Sequence, residues 1–310
     1  MGLFNSSISF NAQNDIPSLE GKVILVTGGN NGLGRQSVLE YARHSPARIW
    51  LTSRSLDKGR AAADDIRKEM PGAPIEILEL DLASFDSIKK AASTVRAQSD
   101  RLDILLLNAG IMASAPALTE DGYELQFGTN YVGHALLTKL LTPLLESTAA
   151  LPGADVRIVS VSSDGHAFAP KGGFFPETCK TTAEEMGPFG RYGQSKMAGI
   201  LWGRELARRY PQFTVASVHP GVVKTGLGTS WTGAPRALYW LLTAVATFAA
   251  KTPEQGAKNQ LWASMAKDIK SGEYYEPVGI PDKASEDAKN EELAKKVWDW
   301  TAKELEGCNP

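Results

Sequence analysis

The chain has 310 residues, 43% of them hydrophobic and 22% charged, a composition typical of soluble globular proteins that bury a sizeable core. The formal net charge of −2 excludes the strong basic field of a nucleic-acid-binding protein. Cys179 and Cys308 stand far apart and form no metal or redox motif, which predicts unpaired thiols in a reducing compartment.

Two stretches bear on location. No secretory signal is visible, and residues 1–20 are expected to form a loose arm, although MGLFNS fits the loose pattern for myristoylation of Gly2. The longest apolar stretch, 237–250, is short for a transmembrane helix and indicates a buried or lid helix, or an amphipathic helix resting on a membrane. We expect a cytoplasmic protein, with peripheral membrane contact as the alternative.

From residue 22 onward, apolar runs alternate with helical patterns. Strands are predicted at 22–28, 48–53, 75–81, 102–108, 156–163 and 213–221. Helices are predicted at 32–44, 57–70, 85–98, 126–147, 190–210 and 287–306. This alternation predicts an α/β fold: one doubly wound Rossmann-type domain at 21–284 with a parallel sheet of about seven strands flanked by helices. Residues 285–310 are expected to form a C-terminal helical extension.

A glycine-rich loop, TGGNNGLG at 27–34, joins the first strand to the first helix. Glycines let the backbone approach a pyrophosphate, and the helix N-terminus offers free N–H groups and a positive dipole end. Because the loop follows a strand and opens a helix, it favours dinucleotide binding over a merely structural turn. The loop's predicted cofactor contacts are Gly28, Asn31, Gly32, Leu33 and Gly34.

The loop spacing is TGxxxGxG, and five more motifs follow it in order. They are NAG at 108–110, Asn130, a serine run at 160–163, YGQSK at 192–196, and PG at 220–221. Over residues 20–280 the chain therefore resembles the short-chain dehydrogenase/reductase family. The phrases FGTNYVGHALLT and GEYYEPVG resemble its retinol-dehydrogenase-like branch. The resemblance implies a Rossmann-type oxidoreductase with a nicotinamide cofactor.

The end of the second predicted strand bears on the choice of cofactor. An acidic residue about 20 positions after the loop holds the ribose 2′-hydroxyl in NAD-binding folds, but here the sequence is Thr-Ser-Arg-Ser. Arg54, with Lys58 and Arg35 nearby, would bind a 2′-phosphate, which predicts NADP(H). The alternative is that Arg54 only caps a solvated loop. The predicted contacts in this segment are Ser53, Arg54 and Lys58.

The resemblance implies further cofactor contacts. Asp81 and Leu82 match the family's adenine-contacting pair, with a plain helix cap as the alternative for Asp81. Asn108, Ala109 and Gly110 match the segment beside the adenine ribose. Those expected near the nicotinamide are Pro220, Gly221, Val223 and Thr225.

A tyrosine and a lysine four residues apart share a helix face, which alone is common on solvated helices. Hydride transfer to a carbonyl requires a proton for the developing oxyanion, and Tyr192 can donate one as general acid/base. The cation of Lys196 would lower the tyrosine pKa, and by resemblance also binds the nicotinamide ribose. Small Gly193 and Ser195 are expected to leave this face open to the cofactor.

The resemblance also implies two partners for this pair. Ser163 would hydrogen-bond the substrate oxygen, with Ser162 expected to be structural and Ser160 a further competitor. Asn130 would hold a water beside the lysine and complete a proton relay; a structural asparagine that breaks its helix is the alternative. The three histidines near these motifs, His134, His166 and His219, are expected to be structural, and no metal site is predicted.

Aromatic residues mark the expected substrate side. The segment 164–190, longer than the family's usual link between serine and tyrosine, carries Phe168, Phe174, Phe175 and Phe189. A substrate lid is expected at 226–250, with Trp231, Tyr239, Trp240 and Leu241. These side chains would suit an apolar carbonyl or alcohol, or would only pack the lid onto the sheet.

The residues thus predict an NADP(H)-dependent carbonyl reductase or alcohol dehydrogenase acting on an apolar small molecule. A nicotinamide-dependent epimerase or dehydratase, or a non-catalytic NADP(H)-sensing protein, are the alternatives. Family members often pair through their long helices, so a homodimer is expected to be possible.

Overall fold

The computed structural model describes residues 7–223, 232 and 250–310. Seven strands form one parallel sheet: β1 (Val23–Val26), β2 (Arg48–Ser53), β3 (Ile75–Glu79), β4 (Ile104–Leu107), β5 (Val156–Val161), β6 (Phe213–Val218) and β7 (Glu273–Tyr275). Their order is β3-β2-β1-β4-β5-β6-β7, and the predicted Rossmann-type fold is confirmed. The pattern located six of these strands; β7, with three residues, is too short for a periodicity signal.

Within the described residues, seven longer helices cover the sheet: α1 (Gly32–Ala42), α2 (Leu56–Glu69), α3 (Phe85–Gln98), α4 (Gly133–Ala149), α5 (Gly187–Arg209), α6 (Pro253–Ala263) and α7 (Glu291–Glu304). Single helical turns lie at Ala12–Asp15, Leu125–Phe127 and Glu286–Lys289, with 3-10 turns at Asp164–Phe168, Pro176–Thr178 and Glu184–Met186. A π-helical turn, Gly128–Val132, precedes α4. Serine side chains cap α2 and α3, which explains why their starts were predicted to within one residue.

The apolar strands bury side chains on both faces, as a doubly wound sheet requires. On one face Leu25, Leu105 and Ile158 belong to a core shared with α3, α4 and α5. On the other, Ile24 and Leu106 pack with α1, α2 and α6. Each such buried side chain contributes roughly 1.5–3 kcal/mol, so these layers hold the strand ends rigidly in place.

The N-terminal segment differs from the loose arm expected for it. From residue 7 it packs against the sheet layers, with Phe10, Ile16 and Leu19 buried in the core. The N–H of Ile8 donates to the carbonyl of Val278 at 2.9 Å. Its polar composition hid three apolar anchors spaced too irregularly for a periodic signal.

The C-terminal helix α7 is also part of the core rather than an appendage. Trp298 stacks on Trp202 of α5 with ring centroids 6.0 Å apart, and the guanidinium of Arg209 lies over Trp298 at 4.8 Å. The side chains of Val297 and Thr301, also on α7, are buried. Helix α7 therefore covers part of α5, one of the long helices through which a homodimer was expected.

No helix in the described part of the chain is both long and apolar enough to cross a membrane. Gly2 and Thr225 lie outside the described residues, as does the apolar stretch 237–250 apart from its last residue. The same is true of most of the expected lid at 226–250, of which Thr232 and Ala250 are described.

Candidate active site

The site lies at the carboxyl edge of the sheet, where the loops after β1, β4, β5 and β6 meet. The strand order reverses between β1 and β4. Parallel strands all end at the same edge, and a crevice opens where neighbouring strands send their connections to opposite faces. The topology thus brings together motifs that are up to 190 residues apart in sequence, from the glycine loop to the PG turn.

The glycine loop after β1 forms a cradle that side chains would fill. Gly28 has a φ of +64°, and a Cβ at Gly34 would lie only 2.3 Å from the Gly28 carbonyl oxygen. The amide oxygen of Asn31 caps α1 by accepting the N–H of Gly32 at 2.7 Å. Close approach of the backbone to a helix N-terminus is the arrangement that accepts a pyrophosphate, so the chain fits a dinucleotide here.

The NAG segment is attached directly to this loop. The hydroxyl oxygen of Thr27 accepts the N–H groups of Asn108 and Ala109 at 2.8 and 2.9 Å. The amide of Asn108 donates to the Thr27 carbonyl at 2.8 Å. A Cβ at Gly110 would lie 3.6 Å from the Lys196 ammonium nitrogen, so this segment links the glycine loop to the YGQSK helix.

Two cationic side chains follow β2, where a cofactor's adenosine phosphate was expected. Arg54 and Lys58 are exposed, and neither forms an ion pair with any described carboxylate. Arg35 differs, because its guanidinium lies 3.6 Å from Glu69. The hydroxyl of Ser53 accepts the N–H of Ser55 at 3.3 Å. The positive charge at this edge therefore comes from Arg54 and Lys58.

Asp81 and Leu82 follow β3. The carboxylate of Asp81 accepts the N–H of Ala83 at 2.9 Å, while Ser84 caps α3, so the helix-cap alternative for Asp81 is wrong. The Leu82 side chain is buried in the core. A Cβ at Gly133 would lie 2.3 Å from the Leu82 carbonyl, so α4 begins directly against this turn. Only the backbone of Leu82 remains for a cofactor contact.

Asn130 lies in the π-helical turn rather than in the continuous helix predicted at 126–147. The wide turn displaces it from the helix, and such turns are frequent at functional sites. Its amide oxygen accepts the N–H of Ile111 at 2.8 Å, and its amide nitrogen donates to the Ile111 carbonyl at 2.9 Å. The same nitrogen donates to the Ser195 hydroxyl at 2.9 Å. Asn130 thus joins the loop after β4 to α5.

Tyr192 and Lys196 are both buried on α5, next to Ser163. Burial raises the pKa of Tyr192 to about 12; the charge of Asp164 raises it further and a hydrogen bond with Ser163 opposes both. Burial lowers the pKa of Lys196 to about 8, and its ammonium donates to the Val161 carbonyl at 2.8 Å. Loss of solvent dominates the pKa of Tyr192 in this structure, and the expected lowering of that pKa by the Lys196 cation stays a prediction.

Ser163 follows β5 and faces this pair. Its hydroxyl donates to Asp164 at 3.0 Å and accepts the N–H of Gly165 at 3.0 Å. Ser162 differs: its side chain is buried and donates to the Lys196 carbonyl at 3.4 Å, in line with the structural role expected for it.

Two glycines, Gly165 and Gly193, shape the site through the atoms that pack against them. A Cβ at Gly165 would lie 2.7 Å from the Tyr192 ring and 3.1 Å from the Ser163 hydroxyl. A Cβ at Gly193 would lie 2.3 Å from the backbone nitrogen of Ala169. Gly193 therefore makes room for the 164–190 segment. The expectation that it leaves this helix face open to a cofactor is wrong. Only the packing distinguishes these glycines from ordinary ones.

A charged cluster borders Ser163. The Asp164 N–H donates to His219 Nδ1 at 3.2 Å, and His219 Nε2 lies 3.7 Å from Asp164 and 4.0 Å from Glu276. One ring nitrogen of His219 and one carboxylate oxygen from each of Asp164 and Glu276 lie within 4.8 Å of one another. Burial lowers the pKa of His219, against the two carboxylates. The three residues are more than 50 positions apart in sequence, so no local pattern predicts this cluster.

The PG turn after β6 completes the site. Gly221 has a φ of +87°, and a Cβ there would lie 2.8 Å from the Lys251 nitrogen. Pro220 is half-buried beside it. Val223 and Leu33 both contact Gly256, where a Cβ would lie 2.5 and 2.8 Å from their methyl groups. The turn therefore lies directly beside the glycine loop.

The aromatics of segment 164–190 divide into two groups. Phe168 is 59% exposed and makes an edge contact with Phe189, with centroids 6.0 Å apart, and its backbone packs on Gly193. Phe174 is buried in the core against Phe127, so its expected place in a substrate wall is wrong. A groove of about 470 Å³ lies elsewhere on this segment, lined by Pro170, Phe175, Thr178 and residues 181–186.

This fold and these side chains define a class of nicotinamide-dependent oxidoreductases, and comparison with known proteins agrees. A family model described as short chain dehydrogenase matches residues 22–173. Short-chain dehydrogenase/reductase drtF of Aspergillus calidoustus is 40% identical over 305 residues, which cover 94% of this chain and 95% of that protein.

Retinol dehydrogenase 13 of Homo sapiens is 36% identical over 296 residues, which cover 91% of this chain and 83% of that protein. A crystal structure of an uncharacterized protein from Mycobacterium paratuberculosis matches with a TM-score of 0.72 at 28% identity, covering 94% of this chain and 96% of that one. The chain belongs to the short-chain dehydrogenase/reductase family and resembles its retinol dehydrogenases, as predicted.

Proposed function

We propose that this protein is an NADP(H)-dependent oxidoreductase that interconverts a carbonyl and an alcohol on an apolar small molecule. The observation that carries the proposal is one connected polar group at the sheet edge. Ser163 contacts Tyr192, Asn130 bonds Ser195 beside it, and Lys196 lies next to Gly110. The glycine cradle is attached to the same NAG segment, so a dinucleotide held there would reach this group.

Each member of the group has a distinct role in this proposal. When bound, NADPH supplies the hydride that goes to the carbonyl carbon. Tyr192, with a pKa of about 12, is fully protonated at neutral pH and donates its phenolic proton to the carbonyl oxygen. The hydroxyl of Ser163 turns from Asp164 to that oxygen and stabilises the charge that develops there.

Lys196 and Asn130 support the proton transfer. With a pKa of about 8, Lys196 is mostly cationic at pH 7, and its charge favours the phenolate once the proton has left. Asn130 fixes the loop after β4 against α5, so the ammonium keeps its place beside Gly110. The predicted water-mediated relay through Asn130 would return a proton to Tyr192.

The phenol itself provides the direct test. Tyr192→Phe removes the transferable proton and leaves the ring, so turnover should fall by at least about 1,000-fold, in the upper part of the range for general acid–base catalysis. The Kd for NADPH, measured by fluorescence titration, should stay within about twofold of the wild-type value, because the phenolic proton acts in the transition state and not in cofactor binding. A Tyr192→Phe protein that keeps turnover would remove this mechanism.

The cofactor preference rests on Arg54 and Lys58, which are exposed after β2. No acid lies between the strand and Arg54, and the acid before Lys58, Asp57, pairs with Arg60 at 3.0 Å. A charge-assisted hydrogen bond to a 2′-phosphate contributes roughly 1.5–3 kcal/mol. Arg54→Asp should therefore shift the ratio of kcat/KM values for NADPH and NADH by at least about tenfold toward NADH. Lys68→Asp, an exposed charge reversal near the other end of the same helix, is the matched control and should leave the ratio unchanged.

The substrate class rests on the apolar side chains beside the chemistry. Phe168, which is exposed, and Phe189, which is partly buried, form an aromatic pair on the segment that packs on Gly193. On the side of the expected lid, the N–H of Ala115 donates to the hydroxyl oxygen of Thr232 at 2.9 Å. NADPH consumption should be measured with retinal, long-chain aldehydes, steroids and aromatic ketones. Turnover confined to small polar ketones would contradict the apolar assignment.

A further inference from the structure

His134, one helical turn after Asn130, hydrogen-bonds through both ring nitrogens in the core. Its Nδ1 lies 3.0 Å from the Asn130 carbonyl, and its Nε2 lies 2.9 Å from the Thr27 hydroxyl. A carbonyl oxygen only accepts, so Nδ1 donates. Burial lowers the pKa of His134 to about 4, so the ring is neutral at physiological pH and Nε2 accepts.

The Thr27 hydroxyl fixes this tautomer independently. Its oxygen already accepts two N–H groups, from Asn108 and Ala109, which occupy both lone pairs. Its single proton is therefore donated, and His134 Nε2 at 2.9 Å is a closer acceptor than the Leu106 carbonyl at 3.4 Å. Donor and acceptor capacity match throughout this buried chain of hydrogen bonds, which makes any single loss costly.

The two ends of the imidazole belong to different parts of the site. Thr27 begins the glycine loop and holds the NAG segment beside it. Asn130 lies in the π-helical turn and binds Ile111 and Ser195, next to the tyrosine and lysine. His134 is the side chain that bonds both Thr27 and Asn130, with its ring between the cofactor cradle and the proposed proton relay.

We propose that His134 is a positioning residue of this enzyme. Its acceptor nitrogen orients Thr27 and thereby the cofactor cradle, and its donor nitrogen holds the Asn130 turn in register with the catalytic pair. This inference rests on the proposed NADP(H)-dependent activity. It replaces the purely structural role that the sequence suggested for this histidine.

Two substitutions separate the two ends of the ring. His134→Asn places an amide nitrogen near the position of Nδ1, which preserves the bond to Asn130 and loses the bond to Thr27. His134→Gln reaches toward Nε2 instead, which preserves an acceptor for Thr27 and loses the bond to Asn130. A side chain that only fills space would not distinguish these variants, because both are smaller than imidazole or similar to it in size.

The expected result is a split between binding and turnover. His134→Asn should raise the Kd for NADPH about tenfold with kcat within about threefold of wild type, from the loss of one buried hydrogen bond. His134→Gln should lower kcat about tenfold or more with the Kd within about threefold. Kd comes from NADPH fluorescence titration of the full-length protein and kcat from NADPH oxidation with the best substrate of the carbonyl panel.

Thr142→Val is the matched control, because it removes one hydroxyl bond on the same helix, to the Thr138 carbonyl at 2.9 Å, away from the site. It should change neither constant. Equal losses in both constants for both His134 variants, in proportion to a fall in Tm, would overturn the inference in favour of packing alone. Wild-type values in both variants would overturn it too.

A double-mutant cycle tests the hydrogen bond between His134 and Thr27 from the Thr27 side. It also keeps the proposal testable if the His134→Gln protein does not fold. Thr27→Val removes the proton that Nε2 accepts, so adding His134→Asn to Thr27→Val should raise the Kd little further. Additive effects would overturn the inference. Wild-type protein that neither binds nor oxidises NADPH would refute the proposed function itself, an outcome distinct from active wild type with unaffected variants.

Discussion

Gly165 offers the sharpest test of the site's geometry, because its missing side chain leaves room for the phenol of Tyr192, the proposed proton donor. A Cβ at this position would lie 2.7 Å from Cε1 of Tyr192, whereas ordinary contact begins at 3.4 Å. In Gly165→Ala the ring or the loop after β5 must therefore move by about 0.7 Å. The φ of Gly165 is not in the left-handed region, so alanine adds no backbone strain.

A shift of this size acts on the chemical step. Misplacement of a reacting group by about 1 Å can cost about 100-fold, so a shift of about 0.7 Å should lower kcat roughly 30-fold, or about 2 kcal/mol in activation free energy. The Kd for NADPH should stay unchanged because the glycine cradle lies on the loop after β1. Both constants can be measured by NADPH oxidation at saturating substrate and by fluorescence titration.

Gly199→Ala is the matched control on α5, two turns beyond Tyr192. A Cβ there would meet no atom within 4 Å, so the variant should keep full activity. It should also gain roughly 0.5–1 kcal/mol in unfolding free energy, because glycine is unfavourable inside a helix. Wild-type kcat in Gly165→Ala, with folding and NADPH binding intact, would refute the placement of Tyr192 as the proton donor.

Two further predictions concern pH and stability. The kcat/KM for NADPH in carbonyl reduction should be flat near neutrality and fall above about pH 8. The reason is that Lys196 loses its proton there, while Tyr192, with a pKa of about 12, keeps its own. A pH–rate profile without this fall at alkaline pH would contradict the role of the Lys196 cation. Glu124→Gln should lower the unfolding free energy by about 3–5 kcal/mol in urea denaturation, because it leaves the charge of buried Arg191, 3.1 Å away, unpaired. Adding Arg191→Met should restore part of that loss, and a double variant no more stable than Glu124→Gln would contradict this explanation.

Much of this protein follows from its sequence alone. The alternation of apolar runs with helical patterns predicts the fold, since only a parallel sheet covered on both faces buries so many continuous apolar strands. Strand β2 and helix α3 lie at the predicted residues, and the Ser84 cap marks the start of α3 locally. The family, the oxidoreductase class and the grouping of Tyr192 with Ser163 follow from ordered motifs that need no knowledge of distances.

The tertiary structure alone decided the features that depend on burial and on contacts between distant segments. The pKa of Tyr192 is raised by burial, and the desolvation of a side chain cannot be inferred from its neighbours in sequence. Gly165 and Gly193 are essential to the site's shape only because the 164–190 segment packs on α5. His134 bonds Thr27, 107 residues earlier, and no local pattern predicts that pairing. Sequence fixes which groups are present, whereas packing decides which of them lose water and which of them meet.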